Sequence, residues 1–299
     1  MKTTTPIILR TTLAAATVLL CSILPANAQP YAARPIRFIG IATAGSPSDI
    51  IGRAAAARSE PDGHSLLLTA SAQSGMPWLY SNLGFDPIRD FSGVATLAEL
   101  PNLLVVPPQR GWASLKDMIA VARNKPRALN FGSGGVGSGT HMSSEKLMLA
   151  AAITATHVPF KGTAEGLIEV AAGRLDWFFS PAAAAVPLVK DGRLKALAVS
   201  SKRRMTLLPE LPTTTEAGVP DAEYQFWVGL LAPRKTPRAA IAKLNAELQK
   251  ALGTVELRER YRMLGAETLL MKPEAFDAFL LADSEAAGKI VKAAGIKTQ

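Results

Sequence analysis

The residues that could bind a ligand cluster in four short loops rich in glycine, serine and threonine. The loops are residues 43–49, 69–75, 132–140 and 161–163. Each follows a predicted strand and precedes a predicted helix, so its backbone N–H groups lie at a helix N-terminus, where the helix dipole also favours negative charge. One such loop is more simply a tight turn, but four together predict an anion-binding pocket.

One of these loops carries a pattern that is typical of nucleotide binding. Gly132, Gly134 and Gly137 form a G-x-G-x-x-G sequence between a predicted strand and a predicted helix. The acidic residue that would bind the ribose is missing, because the following strand leads into Lys161. A secreted nucleotide-binding α/β enzyme that uses these glycines therefore stays an alternative hypothesis.

Other catalytic chemistry has little support in the residue types. Neither Ser133 nor Ser138 lies in a G-x-S-x-G turn, so nothing local favours a serine hydrolase. The three histidines, His64, His141 and His157, lack metal-ligand spacing and are better explained as hydrogen-bonding residues of loops or helix starts. We expect no catalytic residue, no metal site and no cofactor.

The N-terminus has the pattern of a secretory signal peptide. Lys2 and Arg10 precede an apolar run at residues 13–24, and the small-residue triplet AxA at residues 26–28 comes before Gln29. The run is shorter than the ~20 residues of a membrane span. Residues 1–28 are therefore predicted to be removed, and the mature protein is predicted to be periplasmic.

The charge balance is positive but does not indicate nucleic acid. Lys and Arg number 33 against 24 Asp and Glu, which gives a formal net charge of +9. The basic residues are scattered, apart from the run at residues 202–204, and no aromatic residues alternate with them to stack bases. Together with export, this distribution excludes nucleic acid as a partner and favours a small anion.

These loops must be positioned by strands and helices that alternate along the chain. Short apolar runs alternate with helical patterns, which predicts mainly parallel strands connected by helices. Ser114 is predicted to cap one helix, Pro237 to be the first residue of another, and Pro273 to begin a third. Eight strands are predicted, too many for one small sheet, at residues 36–41, 65–69, 103–106, 128–131, 156–160, 175–179, 194–200 and 226–231.

A series of short motifs in a fixed order resembles one protein family. They include RPIR at residues 34–37, SDII at 48–51, PDG at 61–63, NLGFDP at 82–87, GSGTH at 137–141, HVPFKG at 157–162, LPT at 211–213, GLLAP at 229–233 and LGAE at 264–267. In this order they resemble the Bug family, the extracytoplasmic solute receptors of tripartite tricarboxylate transporters. The resemblance covers almost the whole chain after the signal peptide.

The resemblance implies an α/β fold of the two-lobed, type II-like periplasmic binding protein class, each lobe a mainly parallel sheet flanked by helices. Residues 29–103 and 226–299 would form the first lobe, and residues 104–225 the second. The implied function is that of a non-enzymatic receptor, a monomer, which captures a small organic carboxylate and delivers it to the membrane permease subunits of a tripartite tricarboxylate transporter.

The resemblance also implies which residues hold the carboxylate, through loop N–H groups and small hydroxyl side chains. In the first lobe these are Thr43, Ala44, Gly45, Ser48, Thr69 and Ser71; in the second lobe they are Ser138, Thr140, Lys161, Gly162 and Ser180.

The chain departs from the family pattern in four places. The first loop has fewer glycines than in relatives, and its Pro47 has no N–H to donate. Only six residues separate Arg53 from Glu60, whereas relatives have more of a helix, another strand and a Gly-rich loop there. We therefore expect a shortened first lobe that has one edge strand fewer and exposes some apolar surface. Phe160 replaces a tyrosine. Ser180 replaces an aspartate that would suit an amino group, which disfavours an amino-acid ligand. A paralogue with reduced transport function is a further alternative.

Overall fold

The computed structural model describes residues 34–40, 43 and 45–298. Residues from Ile36 onward form one compact unit that contains two five-stranded sheets. The predicted signal peptide, residues 1–28, lies outside the described residues. In the part of the chain that the structure describes, no helix combines the length and the apolar character needed to cross a bilayer.

The ten strands found in the described part of the chain are β1 to β10 in chain order: Arg37–Ile39, Ser65–Ala70, Phe91–Glu99, Asn102–Val106, Asn130–Ser133, Thr156–Pro159, Trp177–Pro181, Lys195–Val199, Trp227–Pro233 and Glu267–Thr268. The nine α-helices of the described residues are α1 to α9: Pro47–Ala57, Ala72–Leu79, Leu115–Asn124, Gly139–Ala151, Thr163–Ala171, Ala182–Lys190, Arg238–Leu252, Val255–Leu264 and Pro273–Ala293.

The first sheet has the strand order β1-β2-β9-β3-β10 and the second has the order β6-β5-β7-β4-β8. The chain passes from the first sheet to the second between Glu99 and Asn102, and it returns before Trp227. The predicted boundary between the first and second lobes, after Leu103, therefore falls inside strand β4. The assignment of residues to two lobes stays a prediction.

Both sheets are mixed, and the expectation of mainly parallel sheets was wrong. Of the strand pairs that the described residues form, β1–β2, β5–β6 and β5–β7 are parallel and the other five are antiparallel. The parallel pairs lie where a helix carries the chain back across a sheet, as the sequence pattern indicates. Strand β4 instead begins beside the last residue of β7, so β4 runs antiparallel to β7.

Strand β3 was not predicted, although it contains Phe91, Val94 and Leu97. It reads FSGVATLAE, and its Gly93 lies beneath the ring of Phe276 from helix α9, where a methyl group would come within 2.8 Å. Gly229 of strand β9 contacts the same ring just as closely. Close packing of a helix on the sheet therefore explains the glycines at these two positions, and a glycine inside a strand weakens the strand pattern in the sequence.

The second sheet has a hydrophobic core on each face. Leu104 of β4 packs with Phe131 and Trp177 in one cluster, while Leu103 packs with Phe178 in another. Successive side chains of a strand point to opposite faces, so the two clusters lie on opposite sides of the sheet. Helices therefore cover both faces, as the predicted α/β class requires.

The helix boundaries agree with most of the predicted caps. Ser114 caps α3 and forms a reciprocal capping box with Asp117. Helix α9 begins at Pro273, as predicted. Helix α7 begins at Arg238 and not at Pro237, because Pro237 has the extended backbone of an N-cap residue with ψ at 133°.

The shortened segment leaves apolar side chains exposed at the edge of the first sheet. Strand β1 has three residues and pairs only with β2. Phe38 in this strand is 56% exposed and Ile51 on the following helix is 68% exposed. The crossover from β1 through α1 to β2 nevertheless closes, as expected from its length.

Candidate functional site

The loops of the predicted second lobe lie along one edge of the second sheet. Strand β5 pairs in parallel with both β6 and β7, so the three strands end at the same edge. Helices α4, α5 and α6 begin there, after Ser138, Gly162 and Pro181 respectively. In sheets of this kind, ligands bind beyond the carboxyl ends of the strands.

The loop before helix α4 is shaped by its own hydroxyl groups. Ser138 is the N-cap, and its Oγ accepts a hydrogen bond from the N–H of His141 and donates to the carbonyl of Gly135 at 2.7 Å. Thr140 Oγ1 lies 2.9 Å from Ser138 Oγ and accepts from the N–H of Gly134 at 2.9 Å. Each hydroxyl has one proton, so Thr140 donates to Ser138 and both protons are used inside the loop.

This arrangement leaves two N–H groups at the buried start of helix α4 without a partner in the described part of the chain. The first N–H groups of a helix have no acceptor within it. Here the N–H of Ser138 donates to Gly135 and that of His141 to Ser138. The N–H groups of Gly139 and Thr140, between them, donate to no acceptor among the described residues. They lie at the positive end of a 13-residue helix.

A second helix N-terminus faces the same loop. A methyl group placed on Gly134 would lie 3.7 Å from both the N–H of Thr163 and Thr140 Oγ1, so Gly134 lies between the starts of α5 and α4. Helix α5 has Gly162 as its N-cap and no side-chain cap. Lys161 is exposed, and its ammonium group makes no ion pair within the described part of the chain.

Contacts join this edge to the loops of the first sheet. Thr43 Oγ1 donates to the carbonyl of Lys161 at 2.8 Å. A methyl group on Gly139 would lie 2.2 Å from the ring of Phe226 and 3.1 Å from Ser71 Oγ. Thr43 and Ser71 of the first-sheet side are therefore adjacent to Lys161 and Gly139, as the resemblance implies. Ala44 lies outside the described residues.

The structure places the remaining predicted residues as follows. Ser180 is completely buried and its Oγ donates to the carbonyl of Pro181 at 3.1 Å. Thr69 is also completely buried. Ser48 is exposed and its Oγ lies 3.1 Å from Ser46 Oγ. Gly45 has a φ of 74°, in the left-handed region that favours glycine.

Two histidines support the loop before α4. Gly137 donates its N–H to His141 Nδ1 at 3.1 Å, and His141 Nε2 lies 3.3 Å from Glu145 Oε1. The ring of His141 stacks on that of His157, whose Nε2 lies 2.7 Å from Ser133 Oγ. Both act as hydrogen-bonding residues, as the sequence indicates. Burial, and then the neighbouring His141, lowers the pKa of His157 to about 3.

Sequence reasoning missed a buried ion pair beside the first loop. Arg53 Nε donates to Asp49 Oδ1 at 3.0 Å, and both side chains are 1% exposed. Asp49 Oδ2 in turn accepts from the N–H of Gly45 at 3.0 Å. The spacing of four residues on a helix was the available signal, because it places the two charges on one face.

The glycine pattern of the nucleotide hypothesis has structural causes. A methyl group on Gly132 would lie 2.6 Å from Leu175 and 2.8 Å from Phe178, so this glycine is required by packing. The N–H groups of Gly134 and Gly137 are bonded to Thr140 and His141 and do not point to a phosphate. The N–H groups of these two glycines are therefore already used within the loop and are not available to a phosphate.

Comparison with known proteins agrees with this geometry. Residues 38–296 match the family model described as "Tripartite tricarboxylate transporter family receptor". The structure is similar to that of Rpa4515 from R. palustris, solved with adipate, at 32% identity and a TM-score of 0.77, covering 84% of this chain and 85% of that one.

Two further solved structures are similar over most of the chain. The periplasmic binding protein BugD has 26% identity and a TM-score of 0.77, with 90% of this chain and 100% of that chain covered. MatC from Rhodopseudomonas palustris, solved with bound malate, has 27% identity and a TM-score of 0.73, with 87% and 100% covered.

Proposed function

Because this chain belongs to the tripartite tricarboxylate transporter receptor family, and is thus a periplasmic solute-binding protein of the Bug type, we propose that it captures a small organic carboxylate. The carboxylate lies between the loops of the two sheets. The protein then delivers it to the membrane permease subunits of a tripartite tricarboxylate transporter, without chemical change to the solute.

The observation that carries this proposal is that, among the residues the structure describes, the N–H groups of Gly139 and Thr140 have no acceptor. Two parallel donors at a helix N-terminus match the two oxygens of a carboxylate, and hydrogen bonds to a charged acceptor are stronger than those to a neutral one. Ser138 and Thr140 hold the donors in place through their hydroxyl groups.

Lys161 adds a positive charge to the loop before helix α5. The start of helix α5, at Gly162 and Thr163, lies next to the same loop and has no side-chain cap. A second carboxylate group of the solute would therefore be stabilised by the positive charge of Lys161. This favours a di- or tricarboxylate over a monocarboxylate, in keeping with the adipate and malate bound by two similar proteins.

The proposed binding residues are those that the resemblance implies. From the first-sheet side they are Thr43, Ala44, Gly45, Ser48, Thr69 and Ser71, and from the second-sheet side they are Ser138, Thr140, Lys161, Gly162 and Ser180. Thr43, Ser71 and Lys161 are supported most directly, because they lie next to the helix α4 loop or next to each other.

The proposal can be tested by titration calorimetry with the purified protein lacking residues 1–28. Adipate and malate are compared with their diamides, which have the same shape but no charge. We expect binding of at least one dicarboxylate and a Kd at least tenfold higher for its diamide. Equal affinity for the acid and the amide would contradict the anion site. Periplasmic location is tested by mass spectrometry of the mature N-terminus, which we expect at Gln29.

A further inference from the structure

A buried arginine lies beneath the first loop of the proposed site. Arg53 belongs to helix α1 and is 1% exposed; only two tryptophans among the fully buried side chains of the described residues are larger. The proposed carboxylate site does not use it. Its charge is nevertheless within two helical turns of the loop that contains Gly45.

One side of the guanidinium group is bonded to the end of strand β2 and the start of helix α2. Nη1 donates to Thr69 Oγ1 at 2.8 Å and to Gln73 Oε1. Gln73 is itself held by a hydrogen bond from its Nε2 to the carbonyl of Pro87 at 2.6 Å. Arg53 is thus attached to a fixed part of the first sheet.

The other side of the guanidinium group reaches the first loop through Asp49. Nε donates to Asp49 Oδ1 at 3.0 Å, and Asp49 Oδ2 accepts from the N–H of Gly45 at 3.0 Å. Gly45 is two residues from Thr43, whose hydroxyl donates to the carbonyl of Lys161 in the second-sheet loop. A continuous set of hydrogen bonds therefore runs from Gln73 to Gly45.

The Asp49–Arg53 ion pair contributes more to the geometry of the first loop than to the stability of the fold. The free-energy cost of removing two charges from water offsets most of the attraction between them. A buried ion pair therefore adds little net stability compared with apolar side chains of similar size. Burial lowers the pKa of Arg53, and Asp49 opposes this. The pair does provide directional hydrogen bonds, because the planar guanidinium group of Arg53 donates in two fixed directions.

We propose that Arg53 is a positioning residue for carboxylate binding, which fixes the loop at Gly45 relative to Thr69 so that both first-sheet loops meet the ligand as one rigid unit. This inference rests on the proposed function. Arg53 does not contact the ligand in this scheme. It acts through Asp49 and Thr69.

The test compares Arg53→Lys, Asp49→Asn and the double variant with wild type. Lysine keeps the charge but not the fork, and asparagine keeps the shape but not the charge. Arg58→Lys is the matched control, because Arg58 ends the same helix and donates to the carbonyl of Gly84 on the exposed surface. The dicarboxylate that binds wild type best is titrated at a temperature where circular dichroism shows every variant folded.

We expect Arg53→Lys and Asp49→Asn each to raise the Kd for the dicarboxylate at least tenfold. The double variant should raise the Kd no further than the single variant with the larger effect. Arg58→Lys should leave the Kd unchanged. Hydrogen exchange of a peptide containing Gly45 should accelerate in both single variants, while exchange in strands β4 and β7 stays the same. If neither variant folds, Gln73→Met, which leaves the ion pair intact and removes only its anchor, should raise the Kd and the exchange rate in the same direction.

Wild-type affinity in a folded Arg53→Lys variant, or additive effects in the double variant, would overturn the inference. A wild-type protein that binds no carboxylate would instead contradict the proposed function. The two failures are therefore distinguishable.

Discussion

Ser138 combines two roles at the residue scale, one in stability and one in binding. Its Oγ caps helix α4 and fixes the loop that presents the free N–H groups. Ser138→Ala should lower the free energy of unfolding by about 1 kcal/mol through loss of the cap. It should also weaken carboxylate binding about tenfold or more, the equivalent of ~1.5 kcal/mol, because the donors are no longer held in place. Urea unfolding and calorimetry measure the two effects.

Ser114→Ala is the matched control for this prediction. Ser114 caps helix α3 in the same way, by accepting from the N–H of Asp117, but it is not in the proposed site. We expect a similar loss of stability and unchanged affinity. If Ser138→Ala also leaves the affinity unchanged at a temperature where it is folded, Ser138 is only a helix cap.

His157 should make stability depend on pH below neutrality. Burial first, and His141 second, lower its pKa in the folded state from 6.5 to about 3. Between these values the unfolded chain binds a proton that the folded chain does not, so the free energy of unfolding falls as the pH drops. The fall for one such group is at most about 1.4 kcal/mol per pH unit.

His157→Gln tests this linkage, because the glutamine amide can replace Nε2 as the partner of Ser133 Oγ without titrating. Urea unfolding of wild type and variant is compared at pH 7 and pH 5. We expect the variant to lose less stability between the two pH values. Identical losses in both proteins would show that His157 does not carry the proton linkage.

At the scale of elements, the start of helix α4 lies very close to the segment before strand β9. Gly139 has no room for a side chain, because a methyl group would lie 2.2 Å from the ring of Phe226. Gly139→Ala should therefore push the helix N-terminus away from the first-sheet loops. We expect a rise in the Kd for the dicarboxylate of at least tenfold, measured by calorimetry.

Gly162→Ala provides the control for this contact. Gly162 starts helix α5 with an extended backbone, and no atom lies within 4 Å of the position that a methyl group would take. The variant keeps the N–H group and should bind as wild type does. Equal affinity of Gly139→Ala and wild type would mean that this close approach does not matter for binding.

On the scale of the whole molecule, the two sheets should differ in local stability. Strand β1 has one partner strand, and Phe38 and Ile51 next to it are largely exposed. The second sheet instead has a buried cluster on each face. Less apolar burial means a lower free energy of local opening, since each Å² of apolar surface removed from water contributes about 25 cal/mol.

Hydrogen exchange should therefore show lower protection in residues 36–68 than in residues 128–200 of the ligand-free protein. A dicarboxylate that contacts loops of both sheets should raise protection in both ranges, because it stabilises only the folded form that binds it. Uniform protection without ligand would show that the shortened part has repacked without loss of stability.

The sequence alone was sufficient to predict the α/β class, the family, and the helices with clear caps. Local signals carry this information: Ser114 with Asp117 and Pro273 are recognisable without any knowledge of what lies across the molecule. The Gly- and Ser-rich loops were also recognisable as helix starts. The ordered motifs placed the chain in its family, which the comparison of residues 38–296 confirms.

Only the tertiary structure decided the strand directions, the identity of strand β3 and the partners of the loop groups. Strand β3 has a glycine at position 93 because Phe276, almost two hundred residues later, fills the space above it. The Arg53 fork and the free N–H groups of Gly139 and Thr140 likewise depend on which hydrogen bonds form elsewhere. A sequence pattern reports the conformational preference of neighbouring residues, whereas packing and hydrogen-bond satisfaction depend on residues brought together from distant parts of the chain.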